Sequence, residues 1–383
     1  MKQDKCSSTH PPLPPTTEES SLLHLRLLRS RKVGPATYRR LLAEHQTASA
    51  ALDALPEIAR AAGLKDYCTC PENIAMSELR VGSRLGARLV FQGDRDFPQA
   101  LNDLSDAPAA LWMLGSPQHL TRPIVALVGA RTASSLGTRM ARKLASELGE
   151  AGFTVVSGLA RGIDTAAHTG ALATGTIAVM AGGVDVIYPQ QNTELAQKIS
   201  TQGLRLSDQP IGTHPRAHHF IARNRIISGL AAATVVIEAA AKSGSLSCAQ
   251  NALDQGREVL AVPGHPYDPR VAGCNMLIRD GAVLVRGAQD IIDHLGDPQK
   301  TVIEPELPLS APPKTPPTKP RGLAETAALH NIILDRLGPA PMAEDQLIRT
   351  LGATPTAVAP VLVDLELDGK VVRQAGGLLA RAQ

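Results

Sequence analysis

Between Ile124 and about Leu295, seven short apolar runs, IVALV, TVVS, TIAVM, LRLS, ATVVIEA, EVLAVP and AVLV, alternate with helical segments. That alternation predicts an α/β fold with a mostly parallel sheet wrapped by helices, because parallel neighbours are joined by a crossover and the usual crossover is a helix. Strands covered on both faces read as unbroken β-branched runs, as these do. Ligands of such sheets collect outside the carboxyl ends of the strands, so chemistry is sought in the turns that follow them.

Two of those turns carry glycine and apparently open a helix. The first, VGARTASSLG, supplies Gly129, Arg131, Ser134, Ser135 and Gly137; the second, SGLARGIDTAAH, supplies Ser157, Gly158, Arg161 and Gly162. Free amides at a helix start, with an arginine fork beside them, suit a phosphate-bearing ligand. Neither GxGxxG nor the P-loop lysine is present, so no nucleotide cofactor is expected. Asp164 and His168 lie four apart and share a helix face, where a carboxylate can orient an imidazole for proton transfer. With no nucleophile or metal set beside them, the favoured reading is structural: Asp164 buttresses the helix start and His168 hydrogen-bonds inside the domain.

The run from Ile211 to Ile237 holds His214, Arg216, His218, His219, Arg223 and Arg225 and no acidic residue. A cationic stretch without carboxylates points to a polyanion partner. Phe220 either stacks on an unpaired base or anchors the following helix. Lys242, Ser243, Gly244 and Ser245 open another helix after ATVVIEA, and AVPGHP follows EVLAVP. Several such turns can track consecutive phosphates, or are ordinary αβ turns obeying local geometry.

The 383 residues suffice for two or three domains, and a net charge of +3 decides nothing about partners. Aromatic residues are only 2% of the chain, so a mechanism stacking many bases is disfavoured and phosphate contacts must do more. Cys68 and Cys70 form a CxC with no second pair or nearby histidine, so reduced thiols and no metal are expected. No apolar signal core or membrane span is evident, and a cytoplasmic location is expected. The expected organisation is a disordered tail over 1–17, a small helical domain over 18–90, the α/β domain over 91–303, a proline-rich linker over 304–322 and a terminal domain over 323–383. Within the last, three helical patterns and the hairpin KVVRQAGGLLAR follow the order of a winged helix, whose acidic residues favour packing or protein contact over duplex reading. Trp112, among Leu111, Met113 and Leu114, is read as core.

VGAR, SGLARGIDTAAH, AGGVDVIYP, FIARNRIISGL, SGSLSCA, VPG and CNMLIRDGA, in that order over about Arg122 to Leu295, closely resemble the DNA-processing protein A (DprA/Smf) family. The helical domain resembles the sterile-alpha-motif or helix-hairpin-helix type of that family, and the terminal domain its winged helix. The resemblance implies an extended Rossmann-like domain that forms a homodimer, and a non-enzymatic protein that binds single-stranded DNA, protects it during natural transformation and loads the RecA recombinase. It implies Arg131, Phe220, Arg223, Asn224 and Arg225 as the leading DNA contacts, supported by Gly129, Ser157, Gly158 and Lys242. The chain departs from the family pattern with Gln190 where lysine is frequent, Asp208 for glutamate, Ile221 for proline, and Cys248 and Cys274 for threonine.

Two other classes are weighed. A phosphoribohydrolase of the lysine-decarboxylase-like type shares a glycine-rich Rossmann site, and Glu238 is then its carboxylate, but PGGxGTxxE is absent. A dinucleotide oxidoreductase lacks its glycine fingerprint here.

Overall fold

The computed structural model describes residues 17–102 and 104–299 and, in the C-terminal part, 330, 332–337, 341–352, 358, 361–363, 365–366, 368, 370–374 and 378–381. The tail expected before residue 17 and the linker expected over 304–322 lie outside the described residues. The chain divides into two compact units, 1–303 and 304–383.

The first unit opens with four helices, α1 (Glu18–Arg29), α2 (Pro35–His45), α3 (Ala48–Ala61) and α4 (Glu72–Arg84). Gly34 and Pro35 separate the first two, with the proline in the opening turn of α2, where its missing N–H costs nothing. Thr17 and Thr47 cap α1 and α3 with their hydroxyls. The leucine faces of these helices close over a core that includes Leu25, Leu41, Leu52 and Tyr38.

A nine-stranded sheet follows, built from β1 (Arg88–Phe91), β2 (Ala110–Gly115), β3 (Ile124–Val128), β4 (Thr154–Ser157), β5 (Thr176–Val179), β6 (Leu204–Ser207), β7 (Ala233–Val236), β8 (Glu258–Ala261) and β9 (Val283–Leu284). Its order is β1-β2-β6-β5-β4-β3-β7-β8-β9. All seven runs read as strands are β3 to β9, and they pair in parallel. β1 and β2 add an antiparallel extension against β6. That extension escaped the sequence reading, because ALWMLG looked like a connecting core segment. The intervening helices are α5 (Gln99–Asn102), α6 (Ser135–Glu150), α7 (Ile163–Ala171), α8 (Thr193–Gln202), α9 (Ala217–Leu230), α10 (Leu246–Asp254), α11 (Ala272–Arg279) and α12 (Ala288–Leu295). Alternation along β3 sends Val125 and Leu127 into the core beneath α6 and α7, and Ala126 and Val128 into the core beneath α9 and α10.

From β3 the chain winds outward through β4, β5 and β6, then returns to place β7 on the other flank of β3. The crevice at this reversal is where an open α/β sheet receives its ligand.

Trp112 is 2% exposed. Its Nε1 donates to Glu78 Oε1 at 2.9 Å, and the same carboxylate pairs with Arg29 at 2.8 Å, joining the helical part to the sheet extension.

In the second unit, strands Met342–Ala343, Val371–Gln374 and Leu378–Arg381 form a three-stranded sheet beside helix Glu344–Leu351. This arrangement is that of a winged helix. Arg373 is paired with Glu344 and Glu366. Among the described residues no helix is long and apolar enough to cross a membrane.

Gly82, inside α4, faces the Trp112 indole so closely that a Cβ would overlap the ring. Gly82→Ala is therefore expected to cost about 1–3 kcal/mol as an overpacked contact, read as a lower urea midpoint.

Candidate nucleic-acid interface

A cleft of about 840 Å³ opens at the sheet reversal, walled by the turn after β3 (Gly129 to Thr132), the turn after β7 (Ala240 to Ser245) and the outer face of α9. Arg131 is exposed, and its guanidinium carbon lies 4.7 Å from the centre of the Phe220 ring. Such stacking holds a cation in place without consuming its charge. Tyr188, 51% exposed after β5, meets the same ring edge-on at 5.5 Å. Lys242 stands exposed on the β7 turn, and neither it nor Arg131 forms an ion pair among the described residues. Asn224 lines the cleft, its amide donating to Ser247 Oγ at 2.9 Å.

Some N–H groups of the amide-rich turns are taken by side-chain carboxylates. Ser134 begins α6, but its N–H and hydroxyl both donate to the Glu238 carboxylate, the hydroxyl at 2.6 Å. In the second turn Asp164 Oδ2 accepts from the N–H groups of Gly158 and Ala160 at 3.2 and 3.3 Å. Two side-chain carboxylates thus occupy the positions that the sequence offered to a ligand. Glu238, 2% exposed and committed to α6, is also in no position to serve as the catalytic carboxylate of a hydrolase.

Arg223, expected as a leading contact, is 4% exposed. It lines the cleft, and its Nη1 donates to the carbonyl oxygens of Gly158 and Val179. Burial lowers its pKa, and nearby Asp164 works against that shift. Arg225 is drawn away as well, pairing with Asp208 at 2.8 Å and donating to the Asp106 carbonyl. Ser157 is fully buried with its hydroxyl on the Leu127 carbonyl at 2.6 Å. A Cβ at Gly158 would overlap the Arg223 guanidinium, so this glycine makes room for an arginine rather than for a nucleotide. The run from Ile211 to Ile237 lacks carboxylates only along the chain; in space Asp208 reaches Arg225, and Asp164 faces Arg223.

Asp164 and His168 do not form a proton-transfer pair. Leu159 N–H donates to His168 Nε2 at 3.3 Å, and Nδ1 meets Thr176 Oγ1 at 2.9 Å. The Thr176 hydroxyl itself donates to the Val155 carbonyl, so it accepts from Nδ1–H and the ring is neutral. Burial, assisted by Arg223, pulls the imidazole pKa down to about 3.

The cleft therefore offers two free cations, Arg131 and Lys242, a half-exposed aromatic pair and Arg270, whose charge is shared with Asp268 at 2.8 Å. Tyr188 and Arg270 escaped the sequence reading. The signal for Tyr188 was its place in a turn after a parallel strand, at the rim where ligands bind.

Comparison with known proteins follows from this architecture. Residues 88–296 match the family of DNA recombination-mediator protein A, 18–81 the DprA-like N-terminal HHH domain, and 315–377 the DprA winged helix domain. The chain belongs to the DprA family. It is 43% identical over 201 residues to the DNA processing protein DprA of Streptococcus pneumoniae, covering 52% of this chain and 71% of that one. It is 35% identical over 309 residues to protein Smf of Synechocystis, covering 74% and 77%. The crystal structure of DprA from Streptococcus pneumoniae superposes with a TM-score of 0.61 at 32% identity, over 72% of this chain and 98% of that one. A Helicobacter pylori DprA structure, described in terms of a single-stranded DNA binding mode, gives 0.51 at 30% identity over 56% and 97%. The matching family is described as a recombination mediator, and Asp164 and His168 are each held by other partners.

Two outcomes are expected from this geometry. Arg223→Ala leaves Asp164 buried beside no cation and should destabilise the fold by about 3–5 kcal/mol, seen in denaturant unfolding. His168 binds a proton in the unfolded chain near pH 6.5 but in the fold only near 3. Its stabilising contribution is complete above 6.5 and is lost as pH falls, at roughly 1.4 kcal/mol per unit. Buried His24, lowered to about 4, acts in the same direction, and Asp164, raised by burial, in the opposite one. Comparing unfolding of the wild type with His168→Gln across that range should show a shallower pH slope in the variant.

Proposed function

We propose that this protein binds single-stranded DNA along the cleft at the sheet reversal, with Arg131 and Lys242 as the principal phosphate contacts. Phe220, Asn224, Gly129 and Arg223 shape the groove, while Arg225, Ser157 and Gly158 support it. The observation that carries this reading is the pair of unpartnered cations at the mouth of the cleft, one stacked on an aromatic ring. A chain poor in aromatics must draw most of its affinity from backbone charge, so sequence preference is slight. The Helicobacter pylori relative, described as binding single-stranded DNA, supports the choice of ligand.

Membership of the DprA family supports the further reading that the protein acts in the cytoplasm during natural transformation, protecting incoming strands and loading RecA onto them. A homodimer accords with the apolar side chains Leu253, Met276 and Leu284, 54%, 41% and 42% exposed on elements at the β9 edge of the sheet. That edge strand would otherwise leave backbone groups unpaired.

Fluorescence anisotropy with single-stranded and duplex oligonucleotides across a salt series tests the reading. Wild-type affinity for the single strand should fall steeply with salt. Arg131→Ala and Lys242→Ala should each weaken binding several-fold and lower the log–log slope by roughly 0.7, with unfolding midpoints unchanged. Unaltered binding by the double variant would remove the cleft from consideration.

A further inference from the structure

The chain has one tryptophan, four tyrosines and four phenylalanines, and their distribution is uneven. Tyr38, Phe91, Phe97, Trp112 and Phe153 are buried. Tyr67 packs against the N-terminal core with its hydroxyl on the Arg31 carbonyl. The remaining three, Tyr188, Phe220 and Tyr267, belong to turns or helix starts at the carboxyl edge of the sheet. Phe220 already has the Arg131 guanidinium over its ring. Tyr267 is 92% exposed, the most exposed large hydrophobic side chain among the described residues.

Tyr267 sits on the turn after β8, three residues from Arg270, which lines the cleft. The turn is held without help from the tyrosine ring: Asp268 N–H donates to the His265 carbonyl at 2.9 Å, Asp268 pairs with Arg270, and Val271 N–H donates to the Asp268 carbonyl at 3.2 Å. The ring lies 5.7 Å from the His265 imidazole, itself exposed. A ring that contributes nothing to its own turn is available to a ligand, and with only two side-chain torsions it loses little freedom on contact.

Sheet order puts these groups in a row. Tyr188 follows β5, Arg131 follows β3, Lys242 follows β7, and Arg270 and Tyr267 follow β8. Four inter-strand steps separate β5 from β8, on the order of 20 Å, with cations between and an exposed tyrosine at each end.

We propose that Tyr267 is a base-stacking residue that marks the far end of the DNA path, so that the strand crosses the carboxyl rim from Tyr188 over Arg131 and Lys242 to the β8 turn. The proposal rests on the cleft being the single-strand site and adds its direction and its second stacking point. Stacking tolerates any base, so Tyr267 raises affinity without selecting sequence.

The test uses the full chain, anisotropy with an oligothymidylate long enough to span the rim, and an abasic oligonucleotide of equal length. Tyr267→Ala should weaken oligothymidylate binding by roughly tenfold, leave the abasic strand unaffected and keep the unfolding midpoint, whereas Tyr267→Phe should bind as wild type. Tyr267→Trp adds a fluorophore that the strand should quench; native Trp112, 2% exposed, gives a constant background. If Arg131→Ala weakens binding while Tyr267→Ala does not, or if Tyr267→Ala weakens the abasic strand equally, the stacking assignment is overturned and the cleft stands. If neither variant changes binding, the cleft reading falls and the assignment with it.

Discussion

Two buried carboxylates, Asp164 and Glu238, decide what this rim can bind. Each occupies the backbone N–H groups of a turn at a helix start, the place where an α/β protein most readily receives a phosphate. With the N–H groups of Ser134, Gly158 and Ala160 satisfied from within, fewer main-chain donors are left for an external anion at these turns. Arg131 and Lys242 stand exposed above this framework. Arg223 belongs to the same internal arrangement: it lies beside Asp164 and secures the carbonyl ends of β4 and β5. The arginine expected as a ligand contact lines the cleft and is also hydrogen-bonded within the fold.

The cleft presents exposed surface charge at Arg131 and Lys242. Binding to exposed cations of this kind weakens with salt and tolerates sequence. A nucleotide-cofactor site needs the opposite, with main-chain donors converging on one pyrophosphate. The position of Arg131 over Phe220 fixes the cation at the mouth of the cleft, so the charge is presented without being neutralised.

Much of the fold was legible in the chain. β3 to β9 are continuous β-branched runs because both faces of the parallel sheet are covered, and that pattern is local. β1 and β2 were not legible as sheet strands, since their antiparallel pairing depends on β6, far along the chain. Trp112 was legible as core from its neighbours, but its hydrogen bond to Glu78, which joins the helical part to the sheet, comes from another element. At the site, Arg131, Lys242 and Phe220 could be picked out because they follow strands or open helices at the ligand-binding rim. The framework role of Arg223 and Arg225 could not, because the carboxylates facing them lie 59 and 17 positions earlier in the chain, at Asp164 and Asp208.

The sequence by itself determined which segments become strands and helices, and where the turns of the ligand rim lie, because these depend on side-chain periodicity and on turn residues a few positions apart. Only the tertiary structure decided which charges remain free. Whether an arginine meets solvent or a carboxylate depends on groups brought together across the sheet, and no linear window contains both partners.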